Sequence, residues 1–187
     1  GGVSRSVFDD PFGMIFSGSG LAWYGGLMGG TAAVLWVLKR HDCLDFAYID
    51  AISPSLVVGY FFGRGGCQLS GDGCYGIQTD LPWGMAYPRG IVPTDLLVHP
   101  TPLYEMLQMA AIFAILWSFR SRLRISGHLF SLYLIAIGLS RFSVEFVRRT
   151  PQFTLGLSVH QWISFILVVI GIFLLFRLRH RFSQPAG

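Results

Sequence analysis

The composition of the chain is typical of a membrane protein. Of its 187 residues, 52% are hydrophobic and only 13% are charged, and the mean hydropathy is +0.54. These values exclude an ordinary soluble domain. The net charge of +4 does not indicate a nucleic-acid-binding protein, because the basic residues cluster at the ends of apolar segments, where membrane orientation explains them.

Five apolar segments are long enough to cross a bilayer. They are residues 21–38, 46–63, 103–119, 127–147 and 155–176. Each has about 17 to 22 residues, and at about 1.5 Å per residue a helix of that length spans a hydrocarbon core of about 30 Å. We therefore predict an all-α fold: one membrane domain over residues 1–187, a bundle of about five transmembrane helices with a glycine-rich external loop.

The distribution of basic residues predicts the orientation. They follow the first, third and fifth segments: Lys39, Arg40, Arg120, Arg122, Arg124, Arg177, Arg179 and Arg181. Because loops rich in lysine and arginine face the cytoplasm, the C-terminus is expected inside. Residues 63–102 and 148–154 are then expected at the external face.

A glycine-rich stretch, residues 63–76, reads GRGGCQLSGDGCYG and follows the second apolar segment. Non-helical backbone at membrane depth must be buried in protein or line a cavity, so we expect this loop to pack among helices. Arg64 can bind two phosphate oxygens with its planar guanidinium, and the glycines let backbone N–H groups approach the same anion. The alternative is a structural ion pair of Arg64 with Asp50 and Asp72.

Two further groups of polar residues lie in apolar segments. In His99-Pro100-Thr101-Pro102-Leu103-Tyr104-Glu105, a helix start explains Thr101 and Pro102 but not His99 or Glu105. His99 is either a general base or a hydrogen-bonding anchor. The spacing of Arg141, Glu145 and Arg148 puts them on one helical face, as a salt-bridge ladder or as a phosphate site with one surplus positive charge.

The small and sulfur-containing residues leave alternatives open. Glycines spaced by four between Ser19 and Gly30 favour close helix contact, and Tyr24 among them is an interfacial anchor or a functional hydroxyl. Cys43, Cys67 and Cys74 do not have the spacing of a metal site. Cys67 and Cys74 are either paired, in an oxidising compartment, or free.

Together these motifs resemble the prolipoprotein diacylglyceryl transferase family of bacterial inner-membrane enzymes. The matching residues are, in order, Trp23-Tyr24-Gly25-Gly26-Leu27, Asp50, Pro54, Gly63-Arg64-Gly65-Gly66, Gly71-Asp72, His99-Pro100, Leu103-Tyr104-Glu105, Arg141, Val144-Glu145-Phe146, Arg148 and Gln161-Trp162. Each motif alone is weak, but their order over nearly the whole chain is specific.

The resemblance implies an activity and a site. The family transfers the diacylglyceryl group of phosphatidylglycerol to the lipobox cysteine of a prolipoprotein, which forms a thioether and releases glycerol phosphate. The implied catalytic residues are His99, Tyr24, Arg141 and Asp72, with Asp72 and Glu105 positioning His99 and Tyr24. The implied substrate-binding residues are Arg64, Arg141, Glu145, Arg148, Tyr104, Glu105, Gly25 and Gly26. The resemblance implies no metal or organic cofactor and no nucleic-acid partner, and it places the protein in the bacterial plasma membrane with its site toward the external face.

The chain also departs from the family pattern. Family members usually carry two more spans before the Tyr24 segment, and the chain begins with Gly1-Gly2 instead of methionine, so we expect its first residue not to be the native start. The family commonly has histidine where Tyr24 stands, asparagine at Cys67, glutamate at Asp72 and tyrosine at Ile137. The alternative interpretation is a non-catalytic paralogue that binds anionic phospholipid or a membrane partner. A third hypothesis, a small transporter of an anionic solute, is less favoured, because such transporters usually show an inverted repeat and the sequence shows none.

Overall fold

The structure, a computed structural model, forms two compact units, Gly1–Leu44 and Asp45–Gly187. It describes residues 29–30, 32–34, 36–41, 45–123, 125–148 and 156–182. In the first unit, the described residues 29–30, 32–34 and 36–40 are helical, within and just beyond the first predicted span.

The described residues of the second unit form four helices and one hairpin. In chain order they are α1 (Phe46–Ser70), β1 (Met85–Tyr87), β2 (Thr94–Val98), α2 (Thr101–Phe119), α3 (His128–Glu145) and α4 (Val159–Phe182). Three helical stretches of the described chain are long and apolar enough to cross a membrane: α1, α2 and Val159–Arg179 of α4. The predicted helical membrane class is therefore confirmed.

The helices pack as two pairs. α1 packs along α2 and α3 along α4, and contacts between α2 and α3 join the pairs. The core between them consists of the buried side chains of Val57, Met109, Ile112, Leu116, Leu129 and Ile137. Glycine allows α3 and α4 to approach closely, because a Cβ at Gly138 would lie 2.8 Å from the carbonyl oxygen of Ser164.

The outward surfaces of the helices are apolar. Phe62 on α1 and Leu107 on α2 are each 70% exposed, and Phe173 on α4 is 57% exposed. Exposed aromatic and aliphatic side chains in this number are costly in water and favourable in lipid. The burial pattern thus agrees with the membrane class that the composition predicts.

α1 extends beyond its predicted end. The expectation of non-helical backbone from Gly63 is wrong for the first part of that stretch, because the helix continues to Ser70 and ends at Gly71, which has φ +56°. A glycine inside a helix costs only about 0.5 to 1 kcal/mol. The ion pair of Arg64 with Glu105 on α2 holds this last part of the helix against its neighbour.

Asp50 stabilises the start of α3 from α1. Its Oδ2 and Oδ1 accept hydrogen bonds from the backbone N–H groups of Gly127 and Phe130, each at 2.7 Å. Asp50 and Arg64 are 14 residues apart on one helix (64 − 50), or about 21 Å at 1.5 Å per residue. The predicted grouping of Asp50 with Arg64 is therefore wrong, because the free N–H groups at the start of α3 are the partners of this carboxylate.

The segment between α1 and α2 folds over the end of α1. β1 and β2 pair antiparallel, with Met85 opposite Val98. The N–H groups of Ile91 and Val92 donate to the carbonyls of Ser70 and Gly71, each at 2.9 Å. These bonds tie the hairpin turn to the last residues of α1, so that the glycine-rich loop begins at a defined point.

Candidate active site

A buried carboxylate near the start of α2 organises the site. Glu105 is 1% exposed, although it belongs to a helix that is apolar enough to span a membrane. Arg64 Nε of α1 forms an ion pair with Glu105 Oε2, and Arg141 Nη1 of α3 lies 3.0 Å from Glu105 Oε1. Arg148 Nη1 lies 3.9 Å from Glu105 Oε1. The charge of Glu105 can be buried because three guanidinium groups converge on it.

Tyr60 links the carboxylate to two of these arginines. Its hydroxyl donates to Glu105 Oε2 at 2.5 Å and accepts from Arg64 Nη2 at 3.0 Å and Arg141 Nη1 at 3.3 Å. The Arg64 guanidinium carbon also lies 5.0 Å from the centre of the Tyr60 ring. The sequence-based set omits Tyr60; its position one turn before Arg64 on the same face of α1 is the signal that could have identified it.

A second buried carboxylate lies at the end of α3. Glu145 Oε2 is 3.9 Å from Arg141 Nη2, and Glu145 Oε1 accepts a hydrogen bond from Ser158 Oγ at 2.9 Å. His160 Nδ1, at the start of α4, lies 3.4 Å from the same oxygen. Glu145 thus positions one side of the Arg141 guanidinium, while Glu105 positions the other.

The charges of this cluster do not balance. Arg64, Arg141 and Arg148 form ion pairs with Glu105 and Glu145, so within these ion pairs three positive charges meet two negative ones and one positive charge is left over. The Asp72 carboxylate interacts with Arg64 only at longer range. The arginine side chains are 15 to 18% exposed, and their guanidinium groups therefore remain within reach of a ligand. A monoanionic phosphodiester fits this surplus, because guanidinium groups bind phosphate oxygens in pairs.

Arg148 reaches the cluster differently from the prediction. Arg141, Glu145 and Arg148 were expected on one helical face, but α3 ends at Glu145. Arg148 lies in an isolated antiparallel bridge with Gly76 of the glycine-rich loop, and from there its side chain approaches Glu105. Arg148 still belongs to the same cluster as Arg141 and Glu145, because the glycine-rich loop, and not α3, positions it.

Gly76 lies close against Val147, just beyond the end of α3. A Cβ at this position would collide with the carbonyl oxygen of Val147 and lie 2.9 Å from His99 Cβ. The backbone N–H of Gly76 donates to the His99 carbonyl at 2.8 Å, and Ile77 N–H donates to the Val147 carbonyl at 2.9 Å. These bonds bring the start of α2 and the end of α3 to one loop.

His99 and Tyr104 form a second polar group beside the arginines. Tyr104 OH accepts a hydrogen bond from Trp83 Nε1 at 2.8 Å, and His99 Nδ1 lies 3.1 Å from the same hydroxyl. In the tautomer with Nδ1 protonated, His99 donates to Tyr104 and its Nε2 carries the free lone pair of a general base. Tyr104 therefore orients the imidazole ring.

Thr101, expected as the cap of α2, lies inside the helix, and its hydroxyl donates to the Cys74 carbonyl.

A cavity opens next to this pair. It has a volume of about 440 Å³ and is lined by His99 and Tyr104 together with apolar side chains that include Trp83, Val144 and Val147. Its lining combines a hydrophobic surface with few polar groups, as is common for sites that bind amphipathic or peptide ligands.

Asp72 lies with two cysteines. Its Oδ1 accepts a hydrogen bond from the Cys74 N–H at 3.1 Å, and its carboxylate also interacts with the thiols of Cys67 and Cys74. Burial alone would raise the pKa of Asp72, but hydrogen bonds from Cys74 and Cys67 hold it below the usual value. Burial, together with the hydrogen bond to Asp72, raises the pKa of the Cys74 thiol to about 12. The structure thus places Asp72 beside the two cysteines. Its predicted role in positioning His99 and Tyr24 stays a prediction, since Tyr24 lies outside the described residues.

The predicted site residues other than Asp72 fall into three sets. Arg64, Arg141, Arg148, Glu105 and Glu145 meet in one cluster, and His99 and Tyr104 lie at the adjoining cavity. Tyr24, Gly25 and Gly26 lie outside the described residues.

A sequence profile of the family described as "Prolipoprotein diacylglyceryl transferase" matches residues 8–177. The chain belongs to the prolipoprotein diacylglyceryl transferase family. The match includes most of each compact unit and all the arginines and glutamates of the cluster.

Individual members of this family show the same similarity. The phosphatidylglycerol–prolipoprotein diacylglyceryl transferase of Methylobacillus flagellatus is 37% identical over 161 residues, which cover 83% of this chain and 60% of that protein. The proteins of that name from Clostridium tetani and Chlorobaculum tepidum are 34% and 38% identical; the matches cover 90% and 84% of this chain, and 68% and 55% of those proteins. The chain thus spans about 60% of the length of the curated relatives it matches.

Proposed function

We propose that the protein transfers the diacylglyceryl group of phosphatidylglycerol to the cysteine thiol of a prolipoprotein lipobox. The observation that carries this proposal is the arginine cluster around Glu105, which has one positive charge more than its carboxylates balance. The family membership and the names of the relatives support the same substrate pair. Phosphatidylglycerol carries one phosphodiester charge, which matches the surplus.

The arginines have a role in both binding and catalysis. In the transfer, the thiolate sulfur attacks the glyceryl carbon, a C–S bond forms, and the C–O bond to phosphate breaks. The electron pair leaves with the phosphate, which becomes a monoester with additional negative charge. Arg64 and Arg141, held in place by Glu105 and Tyr60, would stabilise that developing charge. Because their positions are preset by buried partners, little reorganisation is needed during the reaction.

The cavity beside His99 is the proposed site of the acceptor segment. Its apolar lining suits the small and hydrophobic side chains of a lipobox, and His99 Nε2 is available to accept the thiol proton. Tyr104 and Trp83 orient the imidazole, and Glu145 positions Arg141. Tyr24 is proposed as a further catalytic residue, and Gly25 and Gly26 as further substrate-binding residues, because the family resemblance implies these roles.

We propose about five transmembrane helices, with the C-terminus in the cytoplasm and the site toward the external face of a bacterial plasma membrane. Among the residues that the structure describes, three helices are long and apolar enough to cross a membrane. The other two are α3, which carries Arg141 and Glu145, and the helical stretch in residues 29–40. The basic residues that follow α2 and lie near the end of α4 support this orientation.

The proposal is tested by transfer of labelled diacylglyceryl from phosphatidylglycerol to a lipobox peptide. The assay uses membranes of cells that express the protein from its full reading frame. We expect Arg64→Ala and Arg141→Ala each to lower transfer about a hundredfold, because each removes a donor for the leaving phosphate. Arg177→Ala is the matched control, since this arginine is exposed on α4.

Two results would contradict the proposal in different ways. Equal transfer by Arg141→Ala and Arg177→Ala, at equal protein levels, would remove the arginine cluster from the reaction. Wild-type protein that is folded and binds phosphatidylglycerol but transfers nothing would favour the non-catalytic paralogue.

A further inference from the structure

The start of α4 contacts the carboxylate that ends α3. Ser158 precedes α4, and its Oγ donates a hydrogen bond to Glu145 Oε1 at 2.9 Å. Ser158 also pairs with Gln161: the Ser158 N–H donates to Gln161 Oε1 at 2.9 Å, and the Gln161 N–H donates to Ser158 Oγ at 3.2 Å. This reciprocal pair is a capping box, and both of its residues are buried. The first turn of α4 is therefore fixed against Glu145.

The same turn carries a histidine that reaches this carboxylate. His160 Nδ1 lies 3.4 Å from Glu145 Oε1, while Arg141 Nη2 lies 3.9 Å from Glu145 Oε2. The imidazole and the guanidinium thus approach different oxygens of one carboxylate and do not compete for it. Glu105 Oε1, at 3.0 Å from Arg141 Nη1, holds the guanidinium on its other side. The His160 side chain is 53% exposed, so it can exchange protons with solvent.

The net charge of the cluster depends on the state of this imidazole. With neutral His160, the ion pairs of the three arginines with Glu105 and Glu145 leave one positive charge over. A protonated His160 adds a fourth positive charge at Glu145, so that two are left over. Histidine changes its charge between about pH 5 and 8, whereas arginine stays protonated throughout. The positive surplus therefore rises as the pH falls through this range.

We propose that His160 is a positioning residue for the transfer: in its protonated form it pairs with Glu145, and Arg141 then binds the phosphate of phosphatidylglycerol more tightly. This inference rests on the proposed function. The imidazolium neutralises part of the Glu145 charge that otherwise attracts the Arg141 guanidinium, so more of the arginine's charge acts on the ligand. The phosphodiester stays monoanionic over this pH range, and the change in affinity therefore comes from the protein. Affinity should increase as the pH falls.

Other charged groups surround His160. α4 packs along α3, from which Glu145 and Arg141 face the imidazole. Behind them lie the other members of the cluster, Glu105, Arg64 and Arg148. Glutamate and arginine side chains ordinarily keep their charges between about pH 6 and 8. His99, at the adjoining cavity, is a second histidine, so the test compares proteins that all retain it.

The binding test uses the full-length protein in detergent micelles and labelled phosphatidylglycerol, at about pH 6 and about pH 8. For each protein, the readout is the ratio of the affinity at the lower pH to the affinity at the higher pH. We expect this ratio to be about threefold larger in wild type than in His160→Gln, which is the size of effect that a partly exposed ion pair has. Because each ratio is measured within one protein, a smaller folded fraction does not change it.

The matched control is His128→Gln, which should keep the wild-type ratio. His128 lies 17 residues before Glu145 on α3 (145 − 128), or about 26 Å along the helix. A ratio that falls equally in His128→Gln and His160→Gln would overturn the proposal, because the effect would not depend on the contact with Glu145.

A second variant separates charge from shape. His160→Lys keeps a positive charge at both pH values, so at about pH 8 it should bind phosphatidylglycerol about threefold more tightly than His160→Gln. Equal affinities of the two variants at that pH would overturn the proposal, since a purely structural role of the imidazole gives lysine no advantage.

The transfer assay on the wild type separates this inference from the proposed function. Equal ratios in wild type and His160→Gln would overturn the role of His160 and leave the proposed function in place. A smaller ratio in His160→Gln, together with no transfer by the folded wild type, would contradict the proposed function while the role of His160 in lipid binding stands. A folded wild type that binds no phosphatidylglycerol at either pH would contradict both.

Discussion

The carboxylate of Glu105 is buried among three arginines and one tyrosine. The residues that contact Glu105 are close in space but distant in sequence. Tyr60 and Arg64 precede it by 45 and 41 residues, and Arg141 follows it by 36. Removing one member of such a buried cluster leaves the others with uncompensated charge or unfilled hydrogen bonds. Single substitutions should therefore have effects well above those of exposed ion pairs.

Tyr60→Phe tests the hydroxyl at the centre of this cluster. The change keeps the ring over Arg64 but removes the hydrogen bonds to Glu105 and to both arginines. Hydrogen bonds to charged groups are worth about 1.5 to 3 kcal/mol, so we expect transfer to fall about tenfold or more. The measurement is the rate of diacylglyceryl transfer as a function of phosphatidylglycerol concentration.

The control for this substitution is Tyr48→Phe, since Tyr48 is exposed on α1 about 18 Å along the helix from Tyr60. A transfer rate for Tyr60→Phe within twofold of that of the control would show that the arginines keep their positions without the hydroxyl.

At the scale of elements, the loop that follows α1 decides the geometry of the site. It bonds to the start of α2 through Gly76 and His99, and to the end of α3 through Ile77 and Val147. Glycine is required at position 76, because a side chain there would collide with the Val147 carbonyl. The helices supply the charged residues, and this loop aligns the helix ends that carry them.

Asp50→Ala tests whether the carboxylate in the first part of α1 is structural. The change removes two hydrogen bonds to the N–H groups that begin α3, and the loss of a helix cap costs about 1 to 2 kcal/mol. We expect the thermal unfolding midpoint in detergent to fall by several degrees. The transfer rate per folded molecule should stay unchanged, since Asp50 lies about 21 Å along the helix from Arg64.

Asp80→Ala provides the comparison, because Asp80 is exposed in the loop. A variant Asp50→Ala that keeps its unfolding midpoint but loses transfer would place this carboxylate in the active site after all.

At the scale of the whole molecule, orientation in the membrane determines which substrates reach the site. α2 has 19 residues, or about 28 Å, and separates the hairpin from the turn that follows Phe119. Basic residues in that turn predict a cytoplasmic position for it, which puts the hairpin and the arginine cluster on the other side.

Cysteines introduced at both ends of α2 test this orientation. An impermeant maleimide should label Arg89→Cys, in the exposed hairpin turn, in intact cells. It should label Ser121→Cys, in the exposed turn after α2, only after permeabilisation. Peptide mass spectrometry separates these sites from the native cysteines. The reverse labelling pattern would place the site in the cytoplasm and contradict the proposed localisation.

Hydropathy and motif spacing are local properties of the chain, so they were enough to predict the helical membrane class, the order of the polar motifs and the family. It also identified Arg64, Glu105 and Arg141 from their cost in lipid. In contrast, the continuation of α1 to Ser70 and the capping of α3 by Asp50, which does not approach Arg64, depend on how the helices pack.

The same holds for Tyr60, which joins the arginines, and for Asp72, which joins Cys67 and Cys74. The contacts of Tyr60 and Asp72 depend on how the helices pack and on one tight turn. Neither is encoded in the periodicity of a single segment, because a carboxylate or a hydroxyl takes whichever donor the packed neighbours bring within reach.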